Sequence, residues 1–231
     1  MNTKIALLII YNHRYDENIS RINQIYAGRF EYIYHVVPFY DGDIKNVIPV
    51  YDNSFQFQGY ISQAYQLLKD KGFSHYVAIA DDMVINPNIN ASNFFELTGI
   101  DYKSCFTHEL KDSVTINRKW WHTKDTVRFS VFNRGVEIDN ILPSTEQALR
   151  AFAAHGFQTH LISEWPYNKL RRPYKEFLLK IRRMLLLRLL GRIYYRYPLA
   201  AGYSDMIVVP AEKYVTLLPI LRRICCCTFV C

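Results

Sequence analysis

The sequence predicts an α/β protein, with a mostly parallel central sheet flanked by helices and a basic helical segment towards the C-terminus. Three observations predict it. Short apolar runs alternate with amphipathic segments over the first 80 or so residues, the order that βαβ units require. The runs at 5–10 and 76–80 are apolar throughout rather than alternating, as strands buried on both faces are. The positive charge is concentrated in one stretch near the C-terminus.

In chain order, residues 4–10 read as a buried strand, short and rich in Ile. Residues 16–26 read as a helix, with Ile19, Ile22 and Ile25 at helical spacing and Gly28 beyond its end. Residues 31–38 form the second strand, closed by Tyr40-Asp41-Gly42-Asp43, and a short strand follows it. Residues 59–71 form a helix with Ile61, Ala64, Tyr65 and Leu68 on one face and Gly72 as its stop. Residues 76–80 are the next strand. Asn90 or Ser92 caps a short helix holding Phe94, Phe95 and Leu97, and residues 127–132 are a candidate strand. Ser144-Thr145-Glu146-Gln147 is a capping-box start for a helix over 148–154, ending before Gly156. Residues 158–162 and 205–210 complete the set of strands.

The composition suits one globular domain spanning residues 1–231: half the residues are hydrophobic, and an aromatic content of 15% argues against disorder. The run Ile5–Ile10 is too short for a signal peptide and is followed at once by Tyr11-Asn12-His13-Arg14. No apolar run approaches the roughly 20 residues that span a bilayer. A cytoplasmic protein is the expectation. Cys225, Cys226, Cys227 and Cys231 suit neither a disulfide framework nor a zinc site, which leaves a frame-changed tail or a palmitoylation cluster.

The stretch "HYVAIADDMVINPN", residues 75–88, carries the chemistry. A buried strand runs into Asp81 and Asp82, two carboxylates that repel each other unless a cation sits near them. A divalent ion such as Mg2+ or Mn2+ takes carboxylate oxygens together with phosphate and water. A solvated turn also accommodates two acids. Ligands of open α/β sheets bind beyond the carboxyl ends of the strands, and Tyr11-Asn12, Asp41 and Asp81-Asp82 all fall at predicted carboxyl ends. Three strands thus deliver polar groups to one edge.

The runs "IIYNHR", "VVPFYDGD" and "QGYISQAYQLLKDKGFSHYVAIADDM", with the proline that follows, resemble the nucleotide-sugar-dependent glycosyltransferases of the GT-A fold, particularly the family-2-like group. The resemblance covers about a third of the chain, from Ile5 to Pro87. It implies a GT-A-like single domain, with residues 1–90 as the nucleotide-binding half and 91–231 as the acceptor half. It also implies a nucleotide-diphosphate sugar donor and an acidic Asp-x-Asp motif. Asp82 takes the last Asp, the metal and diphosphate ligand, and Asp81 takes the middle position. Ala80 stands where the pattern has its first Asp. Tyr11, Asn12, Asp41, Gln58 and Gly59 fall on the nucleotide side, Gly59 allowing close backbone approach. Asn12 suits a turn as well as a ligand.

Glycosyl transfer needs a base for the acceptor hydroxyl and a partner for the departing diphosphate. Asp205 is the leading candidate base, Glu109 the second and Asp101 the third; Asp205 suits a turn cap equally well. Trp120-Trp121-His122 suits sugar stacking or a packed core.

Residues 169–196 hold ten basic residues against Glu176 alone, a charge of +9; the chain as a whole carries +7, so the remainder is −2. Over 174–197 the apolar residues change faces near residues 185–186, which fits two short amphipathic helices or one helix that changes partners. Such a segment suits an anionic membrane surface, at about 1 kcal/mol per basic residue, or a solvated face over a core. Few aromatics and a slightly acidic remainder argue for no nucleic acid. The expected function is transfer of a sugar from a nucleotide-diphosphate sugar to a glycan or lipid-linked acceptor in surface-polysaccharide synthesis. The membrane association would be peripheral, on the inner face of the cell membrane. The alternatives are a catalytically decayed binding module and a nucleotidyltransferase, although no Gly-rich, Lys-containing phosphate loop follows the first strand.

Overall fold

A computed structural model describes residues 3–52, 57–108, 111–112, 145–154, 156, 161–162, 181, 185, 189, 197–198, 200–201 and 204–214. The chain parts into two compact units: residues 1–109 with 202–231, and residues 110–201.

The first unit is built on a six-stranded sheet. In chain order its elements are β1 (Ile5–Ile10), α1 (Asp16–Tyr26), β2 (Tyr32–Pro38), β3 (Val47–Val50), α2 (Phe57–Leu68), β4 (His75–Ala80), α3 (Phe94–Thr98) and β5 (Phe106–Thr107). The second unit contributes β6 (Lys111–Asp112), α4 (Thr145–Ala154), β7 (Leu161–Ile162), β8 (Tyr197–Pro198) and β9 (Ala200–Ala201); β10 (Met206–Pro210) belongs to the first unit again. In the second unit β6 pairs with β9 and β7 with β8, both antiparallel.

The large sheet runs β3-β2-β1-β4-β10-β5. β3, β2, β1 and β4 are mutually parallel, whereas β10 is antiparallel to both β4 and β5. The sheet is therefore mixed, which corrects the expected mostly parallel arrangement. The cause is the connection. β10 returns after the excursion through residues 110–201, not through a strand–helix–strand crossover, and only a crossover enforces parallel pairing.

β1 is buried along its whole length, and its side chains alternate between two cores. Ala6, Leu8 and Ile10 pack with Tyr60, Ile61, Ala64 and Leu68 of α2. Leu7 and Ile9 pack with Ile19, Ile22 and Tyr26 of α1 and with Phe94 of α3. Helices thus cover both faces. α1 opens with Asp16 and Glu17, which complement the helix dipole, and buries one stripe at three- and four-residue spacing. The chain leaves it through Gly28 at φ 73°.

Most boundaries lie within a residue or two of the expected ones. α2 starts at Phe57 instead of residue 59, and its last three expected residues form a 3-10 turn closed by left-handed Gly72. Neither Asn90 nor Ser92 caps α3: its N-cap is Asn93, while the Asn90 side chain accepts bonds from the Ser92 and Asn93 amides in the preceding turn. The candidate strand 127–132, Ser144, Trp120-Trp121-His122 and the cysteine-rich tail lie outside the described residues, as does nearly all of the basic segment. Among the described residues no helix is long and apolar enough to cross a membrane.

Candidate functional site

β1 is hydrogen-bonded to β2 on one side and to β4 on the other, while α1 and α2 lie on opposite faces. The winding of the chain therefore reverses between β1 and β4. At such a switch point the two flanking loops part and leave a crevice at the carboxyl ends of the strands. Tyr11-Asn12 follows β1 there, and Asp81-Asp82 follows β4.

Backbone bonds fix this edge. The Asp81 amide donates to the Ile10 carbonyl (3.1 Å), the Tyr11 amide to Val36 (3.0 Å), and the Ala80 amide to the Asp205 carbonyl (3.1 Å). Because β10 runs antiparallel, its first residues stand beside the last residues of β4. Asp205 thus joins the edge that holds the doublet. β5 is parallel to β4, so His108, which follows it, emerges at the same edge; its amide donates to Ser204 Oγ (2.9 Å).

The two acids of the doublet differ. Asp81 is half-buried and Asp82 exposed. Asn18, on the first turns of α1, donates through Nδ2 to the Asp81 carbonyl (3.0 Å) and to its Oδ2 (3.1 Å). Burial raises the Asp81 pKa; the Asn18 bond pulls it back, and the neighbouring charge of Asp82 raises it further. Tyr11 is fully buried, and its phenol is pushed far up by burial and then by the charge of Asp81. Its Oη donates to Nδ1 of His35 (3.0 Å), whose Nε2–H donates to Asn23 Oδ1 (2.9 Å). Burial depresses the His35 pKa to about 4, so the ring is neutral. Tyr11 is therefore a rigid wall behind Asp81, not a free ligand group.

Asp41 stands on the neighbouring loop and is ion-paired to Arg14. The Arg14 guanidinium also grips Asp16 through two bonds, of 2.9 and 2.8 Å, and lies 4.9 Å from the centre of the Tyr40 ring. Hydrogen bonding to Arg14 holds the Asp16 carboxyl below its ordinary range. The loops after β1 and β2 are thus clasped by one cation, which sequence reading passed over because its partners stand 2 and 27 residues away. Gly42 leaves room for this stack: a Cβ there would run into the Tyr40 hydroxyl and reach Arg14 Nη2 at 3.1 Å.

Gly59 lies in the first turn of α2, and a Cβ there would collide with the Asp52 carboxylate. Tyr60 Oη donates to the Asp52 carbonyl (3.1 Å) and Gln63 Oε1 accepts from the Tyr51 amide (2.9 Å), so α2 is moored to the end of β3. Burial, then the Asp52 charge, raises Tyr60 to about 12. Also missed was an exposed aromatic pair at this edge. Phe39 and Tyr51, 63% and 67% exposed, meet edge to face at 6.1 Å, with Phe39 in the left-handed region at φ 49°. A bulky residue there is a backbone outlier, and nothing in the sequence signals it.

The remaining candidates separate. The Gln58 side chain and Glu109 lie outside the described residues. Asp101 adjoins Tyr102, whose carbonyl accepts from His75 Nε2 (2.8 Å) at the first residue of β4. That is the amino edge of the sheet, roughly 16 Å from the doublet along a strand, so Asp101 does not join the site.

Among the described residues no group of three or more His, Cys, Asp or Glu side chains is placed to hold a metal. The doublet alone offers two carboxylates. Such a donor set suits Mg2+ or Mn2+ carried together with a diphosphate and water, and does not suit an all-protein cage. No protein-family model, curated protein or solved structure matches the chain.

Proposed function

We propose that the protein is a GT-A-type glycosyltransferase that moves a sugar from a nucleotide-diphosphate sugar to a glycan or lipid-linked acceptor. The observation that supports this most is the acidic doublet at the β1/β4 switch point, with Asp205 tied by backbone to the residue before it. Asp82, exposed at the mouth, and Asp81, steadied by Asn18, are the groups that would hold a divalent ion. Bound there, the ion would neutralise charge on the departing diphosphate. Asn12 and Asp41, after β1 and β2, are the groups that would meet the nucleoside, with Arg14 competing for Asp41; the space beside Gly59 is taken by the Asp52 carboxylate, so it offers no close approach to a ligand. In the transfer, the acceptor oxygen bonds to the anomeric carbon, the bond from that carbon to the diphosphate oxygen breaks, and the acceptor proton passes to the Asp205 carboxylate.

The test is titration with UDP, GDP and CDP, with and without Mn2+, followed by assay of sugar-nucleotide hydrolysis and transfer. We expect one diphosphate to bind in a Mn2+-dependent way and to weaken at least about tenfold in Asp82→Ala. Asp205→Asn should keep that binding and lose about 10²–10⁴ in turnover. Because two carboxylates make a poor cage, Mn2+ alone should bind weakly. Nucleotide binding without turnover would favour a decayed binding module, preference for a triphosphate would favour a nucleotidyltransferase, and failure to bind any nucleotide would sink all three.

A further inference from the structure

We infer that Arg29 is a positioning residue for the acidic doublet, acting through the chain that leaves it; the inference rests on the reading of the doublet as a metal and diphosphate seat. Arg29 stands just beyond α1 and is half-buried. Its guanidinium donates to backbone carbonyls, and among the described residues no carboxylate pairs with it. Nε reaches the Ile89 carbonyl at 3.0 Å, and Nη2 reaches those of Ile85, Asn86 and Ile89 at 3.1, 2.6 and 2.8 Å. The guanidinium also lies 5.1 Å from the centre of the Tyr26 ring, and Tyr26 Oη accepts from the Ile85 amide (3.0 Å). The Arg29 carbonyl accepts from the Ala91 amide (2.9 Å). Residues 85–91 are therefore strapped to the end of α1.

Asp82 stands three residues before Ile85, where the strap begins. Upstream, the Asp81 amide is bonded to Ile10, and the Met83 amide closes a turn on the Ala80 carbonyl (3.1 Å). The doublet is thus a short bridge between two fixed points. The same helix supports both of them. Asn18 grips Asp81 near the start of α1, and Tyr26 and Arg29 hold the strap at its end, with Asn18 and Tyr26 about 12 Å apart along the axis. Segments that follow a strand are ordinarily among the more mobile parts of a fold. Carboxylates that hold an ion together with a diphosphate need to be in place before either arrives. An arginine suits this task, because its planar fork of five donors reaches several carbonyls at once, whereas a lysine offers a compact point charge. Arg29 is not a counter-ion to the doublet: the charged neighbours that bear on Asp81 are Asp82 and His13. Its effect passes through the backbone.

The experiment follows amide hydrogen exchange by NMR, and Mn2+-dependent binding of UDP, GDP and CDP, in the full chain. We expect Arg29→Gln to lose protection at Ile85 and Ala91 and also at Met83, whose amide closes the turn of the doublet. Diphosphate binding at fixed Mn2+ should weaken about 10–100-fold, while the matching nucleoside without phosphates binds as it does to wild type. Arg29→Lys, which keeps the charge and loses the fork, should fall between the two. Ile22→Val, a core change on α1, should lower the unfolding temperature and leave the Mn2+ dependence unchanged. Should Arg29→Gln not fold, Tyr26→Phe, which removes the acceptor of the Ile85 amide, carries the same test at Met83. Unchanged protection at Met83, or nucleoside and diphosphate binding weakened alike, would overturn the inference. Wild type that binds no diphosphate would sink the glycosyltransferase reading instead, and exchange at Met83 would then decide alone whether Arg29 positions the doublet.

Discussion

At the scale of single residues, His35 has the clearest consequence for solution behaviour. It is wholly buried, accepts from Tyr11 and donates to Asn23, and its pKa is depressed to about 4 from an ordinary 6.5. Between those values the unfolded chain binds a proton that the folded chain refuses, so stability falls as pH drops through this window and is fully present above it. The size is about 3 kcal/mol. Chemical denaturation of wild type and His35→Gln at neutral pH and near pH 4.5 should show wild type losing more stability on acidification. Equal losses would show that His35 is not the linked group. His75, also buried and depressed, shifts both proteins alike. The same residue scale shows what the sequence concealed. The doublet was legible, because an apolar run ends in two acids. Which acid faces inward was not, because that depends on Asn18, 63 residues away.

At the scale of elements, α2 poses a conflict between helix propensity and packing. Gly59 sits in a helix, where Ala would ordinarily gain about 0.5–1 kcal/mol. A Cβ would also meet the Asp52 carboxylate, and overpacking costs about 1–3 kcal/mol. Gly59→Ala should therefore destabilise wild type in thermal or urea unfolding, yet stabilise an Asp52→Ala background. A destabilisation of equal size in both backgrounds would refute the clash. α1 was legible to the residue, since acidic residues open it, a periodic Ile stripe runs along it and a glycine lies beyond its end. β10 was legible as a strand but not in its direction. The run "MIVVP" reads the same whether its neighbour is parallel or antiparallel, and what decides is the path of some ninety intervening residues.

At the scale of the whole molecule, the first unit is discontinuous in sequence, assembled from residues 1–109 and 202–231. β5 and β10 are hydrogen-bonded neighbours, with Thr107 opposite Ile207, and Ser204 Oγ accepts from the His108 amide. The excursion therefore leaves and re-enters the sheet within one strand spacing. Replacing residues 109–203 by a short glycine-containing turn should leave a soluble protein with a cooperative unfolding transition. Ending the chain before Ser204 should not: it strips β10 from β4, opens a sheet edge and removes Val208, Val209 and Tyr214 from the two cores. An excision variant that is as insoluble as the truncated one would contradict this.

Thr107 and Ile207, held in register, act as the two posts of a doorway. Loop-closure entropy rises only by about 0.6 kcal/mol for each doubling of length, so what passes through the doorway can grow, shrink or be exchanged at little cost to the sheet. The threshold itself stays put: Asp205, pinned by its carbonyl to Ala80, keeps its station beside the doublet whatever is threaded between the posts.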